Sequence, residues 1–285
     1  MTATRLDGEL LAARVRAEVA DRVARLRAEG VQVGLGTVLV GDDGPSARYV
    51  AMKHADCAEV GIASFDERLP ATATQEEVEK VVAEMNANPA VHAYLVQLPL
   101  PGDLDEERVL LAVDPAKDVD GLHPVNLGKL VMGAPGPLPC TPAGIVDLLH
   151  AFDVPVEGRH VVVIGRGLTI GRPLALLLAM KRPGCNAAVT VVHTGVKDWP
   201  RYTRRAEILV AAAGVPGIIQ PEHVRPGAVV IGAGVRYEGR RLLPDVDESV
   251  AEVASAITPR VGGVGPTTVA MLFRNAIAAA ERASL

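Results

Sequence analysis

The chain has 285 residues, enough for about two domains of ordinary size, and 49% of its residues are apolar, enough for a sizeable core. The net charge of −5 without a basic block argues against nucleic acid, and no apolar stretch approaches the ~20 residues that span a bilayer. The three cysteines are far apart and form no CxxC pair, so we expect no disulfide framework, no structural zinc and a reducing, cytoplasmic setting.

The first part of the chain alternates between helical and β-rich segments. In chain order we predict a helix over 7–29, a strand over 31–40, a helix from Ser46 to Val60, a strand over 62–69, a helix capped by Thr74 and ending near Asn88, a strand over 91–95 and a helix over 105–113. This alternation predicts a parallel sheet covered by helices.

A segment rich in proline and glycine, from Asp114 to Pro139, is predicted to be a loop at the domain boundary. Thr141 is predicted to cap a helix that reaches His150, because Pro142 follows it. Strands are then expected at 160–164, 188–192, 208–212 and 228–231, and a final helix at 268–282. We predict an α/β protein with a first domain over 1–120 plus 268–285, and a Rossmann-like second domain over 121–267.

The most informative segment is a strand, His160 to Ile164, followed by glycines at 165, 167 and 171 and an apolar helix. Glycines at such a turn let the backbone approach a pyrophosphate, and the helix N-terminus favours an anion. The G-x-G-x-x-x-G spacing is one residue longer than the usual fingerprint, so a tight turn without a ligand remains the alternative.

The next strand favours NADP over NAD. An NAD site would place an acidic residue at its end, whereas this chain has His193 and Thr194. Arg166, within the glycine loop, could pair with a 2′-phosphate.

Polar residues in the first domain could meet at the carboxyl edge of its sheet. Tyr49 and Lys53 share one helix face, Gln97 follows a strand, and Asp118 and Asp120 follow the next helix. Each of them alone is more often solvated or structural, so only their common location indicates a site.

Seven segments together resemble the bifunctional methylenetetrahydrofolate dehydrogenase–cyclohydrolase family. They follow the family's order across nearly the whole chain: YVAMK at 49–53, VQLPLP at 96–101, PAKDVDG at 115–121, PCTP at 139–142, the glycine loop, VHT at 192–194 and GGVGP at 262–266.

The resemblance implies oxidation of 5,10-methylenetetrahydrofolate with NADP⁺, followed by hydrolysis of the methenyl product to 10-formyltetrahydrofolate. It implies that Lys53 is the catalytic lysine and that Gln97 orients it. It also implies that Tyr49 stacks on the folate rings and that Asp120 accepts hydrogen bonds from the pterin. The family pattern assigns the cofactor to Gly165, Arg166, Gly167, Thr194, Val235, Thr141 and Thr268, and the folate cleft to Gly262 and Gly263. It implies a homodimer. We expect no metal, because the Asp118–Gly121 segment lacks the later ligands of a calcium-binding loop.

The sequence departs from the family pattern at four places: Gly167 replaces a serine, Gly232-Ala-Gly234 replaces Asp-Val-Gly, Arg260-Val261 replaces Val-Pro and Thr267 replaces a methionine.

Two other functions stay open at this stage. One is a different two-domain NADP dehydrogenase, such as one acting on a shikimate-like hydroxy acid. The other is a non-catalytic folate- or nucleotide-binding protein.

Overall fold

The computed structural model describes residues 3–41, 55–239 and 241–284. The chain divides into two compact units, each with its own parallel sheet. The large-sheet unit comprises Met1–Ala13, Leu130–Ala134 and Pro139–Thr268, and the small-sheet unit comprises Arg14–Lys129, Pro135–Leu138 and Val269–Leu285. Within the described ranges, no helix is both long and apolar enough to cross a bilayer. The domain limits predicted from the sequence remain a prediction.

The first half of the chain contains nine described elements. The described part of the second helix covers residues 55–60. They are β1 (Thr4–Arg5), α1 (Gly8–Ala28), β2 (Gly34–Val40), α2 (55–60), β3 (Ala63–Leu69), α3 (Gln75–Ala87), β4 (Ala93–Val96), α4 (Glu106–Ala112) and α5 (Pro124–Met132). The predicted start of α2 at Ser46 lies outside the described residues.

The second half continues the alternation and ends in a long helix. Its elements are α6 (Cys140–Ala151), β5 (His160–Ile164), α7 (Gly171–Ala179), β6 (Ala188–Val192), α8 (Pro200–Thr203), β7 (Ile208–Ala211), β8 (Val229–Gly232), β9 (Val235–Glu238), β10 (Arg241–Pro244), β11 (Ala256–Ile257) and α9 (Val264–Ala283). Two short 3₁₀ helices, Pro221–His223 and Glu248–Glu252, lie between the later strands.

The small sheet has the order β3-β2-β4, and all its strands are parallel. Val78, Val82 and Met85 form the buried face of α3 and pack with the sheet residues Val38 and Tyr94. The predicted capping box is present, since Thr74 accepts from the Glu77 backbone and Glu77 accepts from that of Thr74. This helix therefore starts where the sequence predicts.

The large sheet has six parallel strands in the order β1-β11-β8-β7-β5-β6. β5, the first strand of the second half, lies between β6 and β7. The direction of winding therefore reverses at its carboxyl end, the usual ligand-binding position in an open α/β sheet. The antiparallel hairpin of β9 and β10 forms a separate ribbon.

Three local predictions were wrong. The segment from Asp114 to Pro139 is not all loop, because it contains α5. Thr141 is not a helix cap: α6 begins at Cys140, Pro139 precedes it as the cap residue, and Thr141 lies in the first turn. α9 begins at Val264, four residues before the predicted start, because Pro266 lies in its first turn, where proline removes no helical hydrogen bond.

Candidate active site

The glycine turn after β5 is built around two glycines that cannot carry a side chain. Gly165 has a φ of 112°, and a Cβ on it would overlap the carbonyl oxygen of Ala212. A Cβ on Gly171, the first residue of α7, would overlap the carbonyl oxygen of Gly165. The turn is thus as compact as a β-α phosphate loop requires.

Gly167 differs from both of these glycines. No atom lies within 4 Å of the position that its Cβ would take, and its φ is not positive. The structure therefore does not require glycine here, and a serine would fit. The extra residue in the motif falls between Gly167 and Gly171, where Arg172 donates its backbone N–H to the carbonyl of Gly167.

Arg166 and Thr194 each follow one of two neighbouring parallel strands, β5 and β6. Ile164 pairs with Val192, and each of the two residues follows its strand end by two positions. Both are exposed, and no ion pair involves Arg166 in the described part of the chain. His193 accepts a 3.1 Å hydrogen bond from the Gly195 backbone at Nδ1, so it shapes this turn.

These features fit a dinucleotide at the carboxyl edge of the large sheet. The compact turn leaves room for a pyrophosphate, and α7 has no side-chain hydrogen bond capping its first turn among the described residues. An exposed guanidinium follows β5, where the 2′-phosphate of NADP would be recognised. Val235, at the start of β9, is 42% exposed near the same edge.

Thr141 and Thr268 lie together, as the family pattern implies for residues that share a site. Their hydroxyl oxygens are 3.0 Å apart. The helices α6 and α9 are so close here that a Cβ on Gly144 would lie 2.5 Å from Oγ1 of Thr267. Thr267 is fully buried and donates to the carbonyl of Val264, so the hydroxyl that replaces a methionine is satisfied.

The glycine run after β11 is fixed against the start of α1. Gly8 donates its N–H to the carbonyl of Gly262 at 2.8 Å, and a Cβ on Gly8 would overlap the carbonyl oxygen of Gly263. Gly262 has a φ of 77°, a conformation that favours glycine. A Cβ on Gly263 would lie 2.6 Å from the carbonyl oxygen of Pro259, so both predicted folate-cleft glycines are required by the local backbone.

Gln97 follows β4 directly and is fixed at the carboxyl end of the small sheet. Its backbone N–H donates to Val38, and its side-chain Nε2 donates to the carbonyl of Leu98 at 2.9 Å. Its Oε1 is buried, and no described residue donates to it. A buried acceptor without a partner costs free energy unless a further donor reaches it.

The segment with Asp118 and Asp120 lies beside β4, where Tyr94 forms a parallel bridge with Asp118. This register puts Asp120 near the level of the β4 end, so Gln97 and Asp120 share one edge of the small sheet. Asp118 is structural: its carboxylate accepts from the backbone of Gly121 and His123 and from the side chain of Asn126.

Two further residues, one in each unit, make notable contacts although they carry no motif in the sequence. Asn275 donates its Nδ2 to the carbonyls of Val119 and Leu138, at 2.8 and 2.9 Å, and so fixes the residue before Asp120. In the large-sheet unit, Asp245 is fully buried and accepts backbone N–H groups from the turn after β7. Only the fold reveals either contact.

Lys117 is the described lysine nearest in sequence to Asp120, and its ammonium makes two hydrogen bonds. It donates to the carbonyls of Met85 and Asn88, and burial lowers its pKa. It therefore anchors the end of α3. Tyr49 and Lys53 lie outside the described residues, so their assignment stays a prediction.

Two family models match the chain. The catalytic domain of tetrahydrofolate dehydrogenase/cyclohydrolase matches residues 6–120, and the NAD(P)-binding domain of the same family matches residues 139–284. Together they span more than half of the chain.

Individual proteins match over nearly the whole length. Bifunctional protein FolD 1 of Salinispora tropica is 64% identical over 97% of this chain and 90% of its own. Bifunctional protein FolD of Syntrophotalea carbinolica is 59% identical over 99% and 97%. The crystal structure of the Trypanosoma brucei N5,N10-methylenetetrahydrofolate dehydrogenase-cyclohydrolase, complexed with NADP and an inhibitor, has a TM-score of 0.93 at 38% identity and covers all of this chain and 99% of its own.

Proposed function

The chain belongs to the tetrahydrofolate dehydrogenase/cyclohydrolase family, and on that premise we propose how its residues divide the two reactions between them. The family resemblance, the two-domain α/β fold, the bifunctional enzyme and the NADP cofactor predicted from the sequence are confirmed. A shikimate-type dehydrogenase and a non-catalytic binding protein do not fit this family.

The proposed reaction has two steps. A hydride leaves the methylene carbon of 5,10-methylenetetrahydrofolate for NADP⁺, which yields NADPH and the methenyl cation. Water then adds to that carbon, a proton is lost, and one carbon–nitrogen bond opens to give 10-formyltetrahydrofolate. The first step needs mainly positioning of the two partners, and the second needs a group that moves a proton.

We assign the proton chemistry to the small-sheet unit. Lys53 would handle the proton of the attacking water, provided its surroundings favour the neutral amine. This assignment rests on the buried Oε1 of Gln97, an acceptor to which no described residue donates a hydrogen bond. An N–H of Lys53 would satisfy it and orient the amine. Tyr49 would stack on the folate rings, and Asp120 would accept the pterin N–H groups.

The large-sheet unit would hold the cofactor. The backbone of Gly165, Arg166 and Gly167 would receive the phosphates, while Arg166 and Thr194 would recognise the 2′-phosphate. Val235 would contact the cofactor, and Thr141 and Thr268 would lie near its nicotinamide end. Gly262 and Gly263 would line the folate cleft. The pairing of β5 with β6, which brings the strand ends before Arg166 and Thr194 together, supports this division.

The family resemblance also implies a cytoplasmic homodimer that handles a reduced folate. Sedimentation equilibrium at micromolar concentration would test the assembly, since a dimer of this chain has about twice its 29.8 kDa mass.

A paired assay tests the proposed function. The purified protein is given methylenetetrahydrofolate with NADP⁺ or NAD⁺, and NADPH or NADH formation is followed by absorbance; methenyltetrahydrofolate is supplied separately to follow its hydrolysis. We expect both reactions, with NADP⁺ preferred. Turnover of neither folate would contradict the function, and equal rates with both cofactors would contradict the role of Arg166.

A further inference from the structure

Asp245 is a buried carboxylate outside every motif described above. It follows β10 directly and has no exposed surface. Its Oδ2 accepts the backbone N–H groups of Ala213 and Gly214 at 2.7 and 3.0 Å, and the carboxylate accepts that of Val215 as well. One side chain thus gathers three successive N–H groups of the turn that follows β7.

That turn forms one wall of the glycine loop. The carbonyl oxygen of Ala212 is the atom that a Cβ on Gly165 would overlap, and the N–H of Ala212 donates to Ile164 at 2.8 Å. A shift of the turn would therefore move the backbone that faces the proposed phosphate site.

The other side of the carboxylate touches the residue before Val235. A Cβ on Gly234 would overlap Oδ2 of Asp245, and Asp245 donates its own N–H to the carbonyl of Gly234 at 3.0 Å. Gly234 in turn donates to Ala211 at the end of β7. Asp245 thus contacts both the turn that begins with Ala212, after β7, and Gly234, directly before β9.

Burial of this carboxyl group has a cost. Desolvation raises the pKa of Asp245, and the three backbone N–H groups act in the opposite direction. Its Oδ1 is buried, and no donor among the described residues reaches it. A core that needed only packing would be served at lower cost by an apolar side chain.

We propose that Asp245 is a positioning residue of the dinucleotide site, and that its carboxylate fixes the 212–215 turn and Val235 for NADP binding and hydride transfer. This inference rests on the proposed division of the reactions between the two units. It predicts that Asp245 serves the dehydrogenase and not the cyclohydrolase, because the proposed proton chemistry needs no dinucleotide.

The test compares Asp245→Asn and Gly234→Ala with the wild-type protein. Asp245→Asn keeps the shape of the side chain but weakens its charge-assisted hydrogen bonds to the 212–215 turn. The second pushes the carboxylate aside without changing it, at a residue whose φ does not require glycine. For each we would measure the Kd for NADP⁺ by calorimetry, KM and kcat of the oxidation, kcat of the hydrolysis, and the thermal midpoint.

We expect both variants to bind NADP⁺ about tenfold more weakly, with a raised KM for NADP⁺ and hydrolysis within about twofold of wild type. Asp247→Asn is the matched control, since Asp247 caps a 3₁₀ helix through Ser249 and asparagine also caps well. It should leave NADP⁺ affinity unchanged.

Three outcomes would overturn the proposal: parallel loss of both activities, unchanged NADP⁺ affinity in both variants, or an equal effect of Asp247→Asn. If Asp245→Asn does not fold, Gly234→Ala decides alone. Because NADP⁺ affinity is measured without folate, the proposal is tested even if the wild-type protein oxidises no folate, a result that would contradict only the proposed function.

Discussion

Gly165 and Ala212 lie so close that a methyl group on the glycine would overlap the carbonyl oxygen of the alanine. Together with its φ of 112°, this contact makes Gly165 the least replaceable residue of the proposed phosphate loop. Gly165→Ala should weaken NADP⁺ binding by about tenfold or more, because strain of ~1–3 kcal/mol would be relieved by opening the loop. Calorimetry measures the affinity.

Gly167→Ala is the matched control for that variant, because its Cβ would have no atom within 4 Å. We expect it to bind NADP⁺ nearly as well as wild type. Equal losses in both variants would show that the loop tolerates no side chain at all, contrary to the steric difference between Gly165 and Gly167.

Gly167→Ser should raise NADP⁺ affinity. The position is open, and a serine hydroxyl beside Arg166 would add a charge-assisted hydrogen bond to a 2′-phosphate. We expect an increase of about three- to tenfold for NADP⁺ and none for NAD⁺, which lacks that phosphate. An equal increase for both cofactors would place the hydroxyl at the pyrophosphate.

Asn275→Ala should destabilise the protein and weaken folate binding. The carbonyls of Val119 and Leu138 would both lose the Asn275 donor, at a cost of about 1–3 kcal/mol in the free energy of unfolding. Since Val119 precedes Asp120, KM for the folate should rise more than KM for NADP⁺. Denaturant unfolding and steady-state kinetics measure the two effects.

Arg108→Ala in the same unit is the control for Asn275. It removes an exposed ion pair with Glu79, which should contribute less than ~1 kcal/mol. A smaller destabilisation by Asn275→Ala than by Arg108→Ala would contradict the role of Asn275 in fixing Val119 and Leu138.

Glu207→Gln should change the pH dependence of the protein's stability. The backbone N–H of His160 and the Arg159 guanidinium lower the pKa of Glu207. A carboxyl whose pKa is lower in the folded state stabilises the protein above its unfolded pKa, and this contribution disappears as pH falls through the folded pKa. The Tm difference between wild type and variant should therefore be present at pH 7 and shrink below about pH 4.5. A difference that stays constant down to pH 3 would contradict this origin.

Where local chemistry determines an element, the sequence predicts it well. The spans of β5 and β6 match the prediction residue for residue, because runs of β-branched residues end at the glycine turn and at the His193 turn. The capping box at Thr74 likewise specifies the start of α3.

The failures come from contacts that only the fold supplies. The helix α5 lies in a segment rich in proline and glycine, and it is held by Asn126, whose side chain donates to Pro115 and Asp118. Thr141 resembles a cap, but its hydroxyl is paired with Thr268, 127 residues away. Asp245 carries no signal in the sequence because the β9–β10 hairpin that positions it has no motif of its own.

The most direct measurement concerns Lys53, the residue to which we assign the cyclohydrolase chemistry. Wild type and Lys53→Met are compared for hydrolysis of methenyltetrahydrofolate and for folate binding by calorimetry. We expect hydrolysis to fall by about 10²-fold or more while the folate Kd changes little, as for loss of a general acid–base group. Unchanged hydrolysis in Lys53→Met would contradict the account.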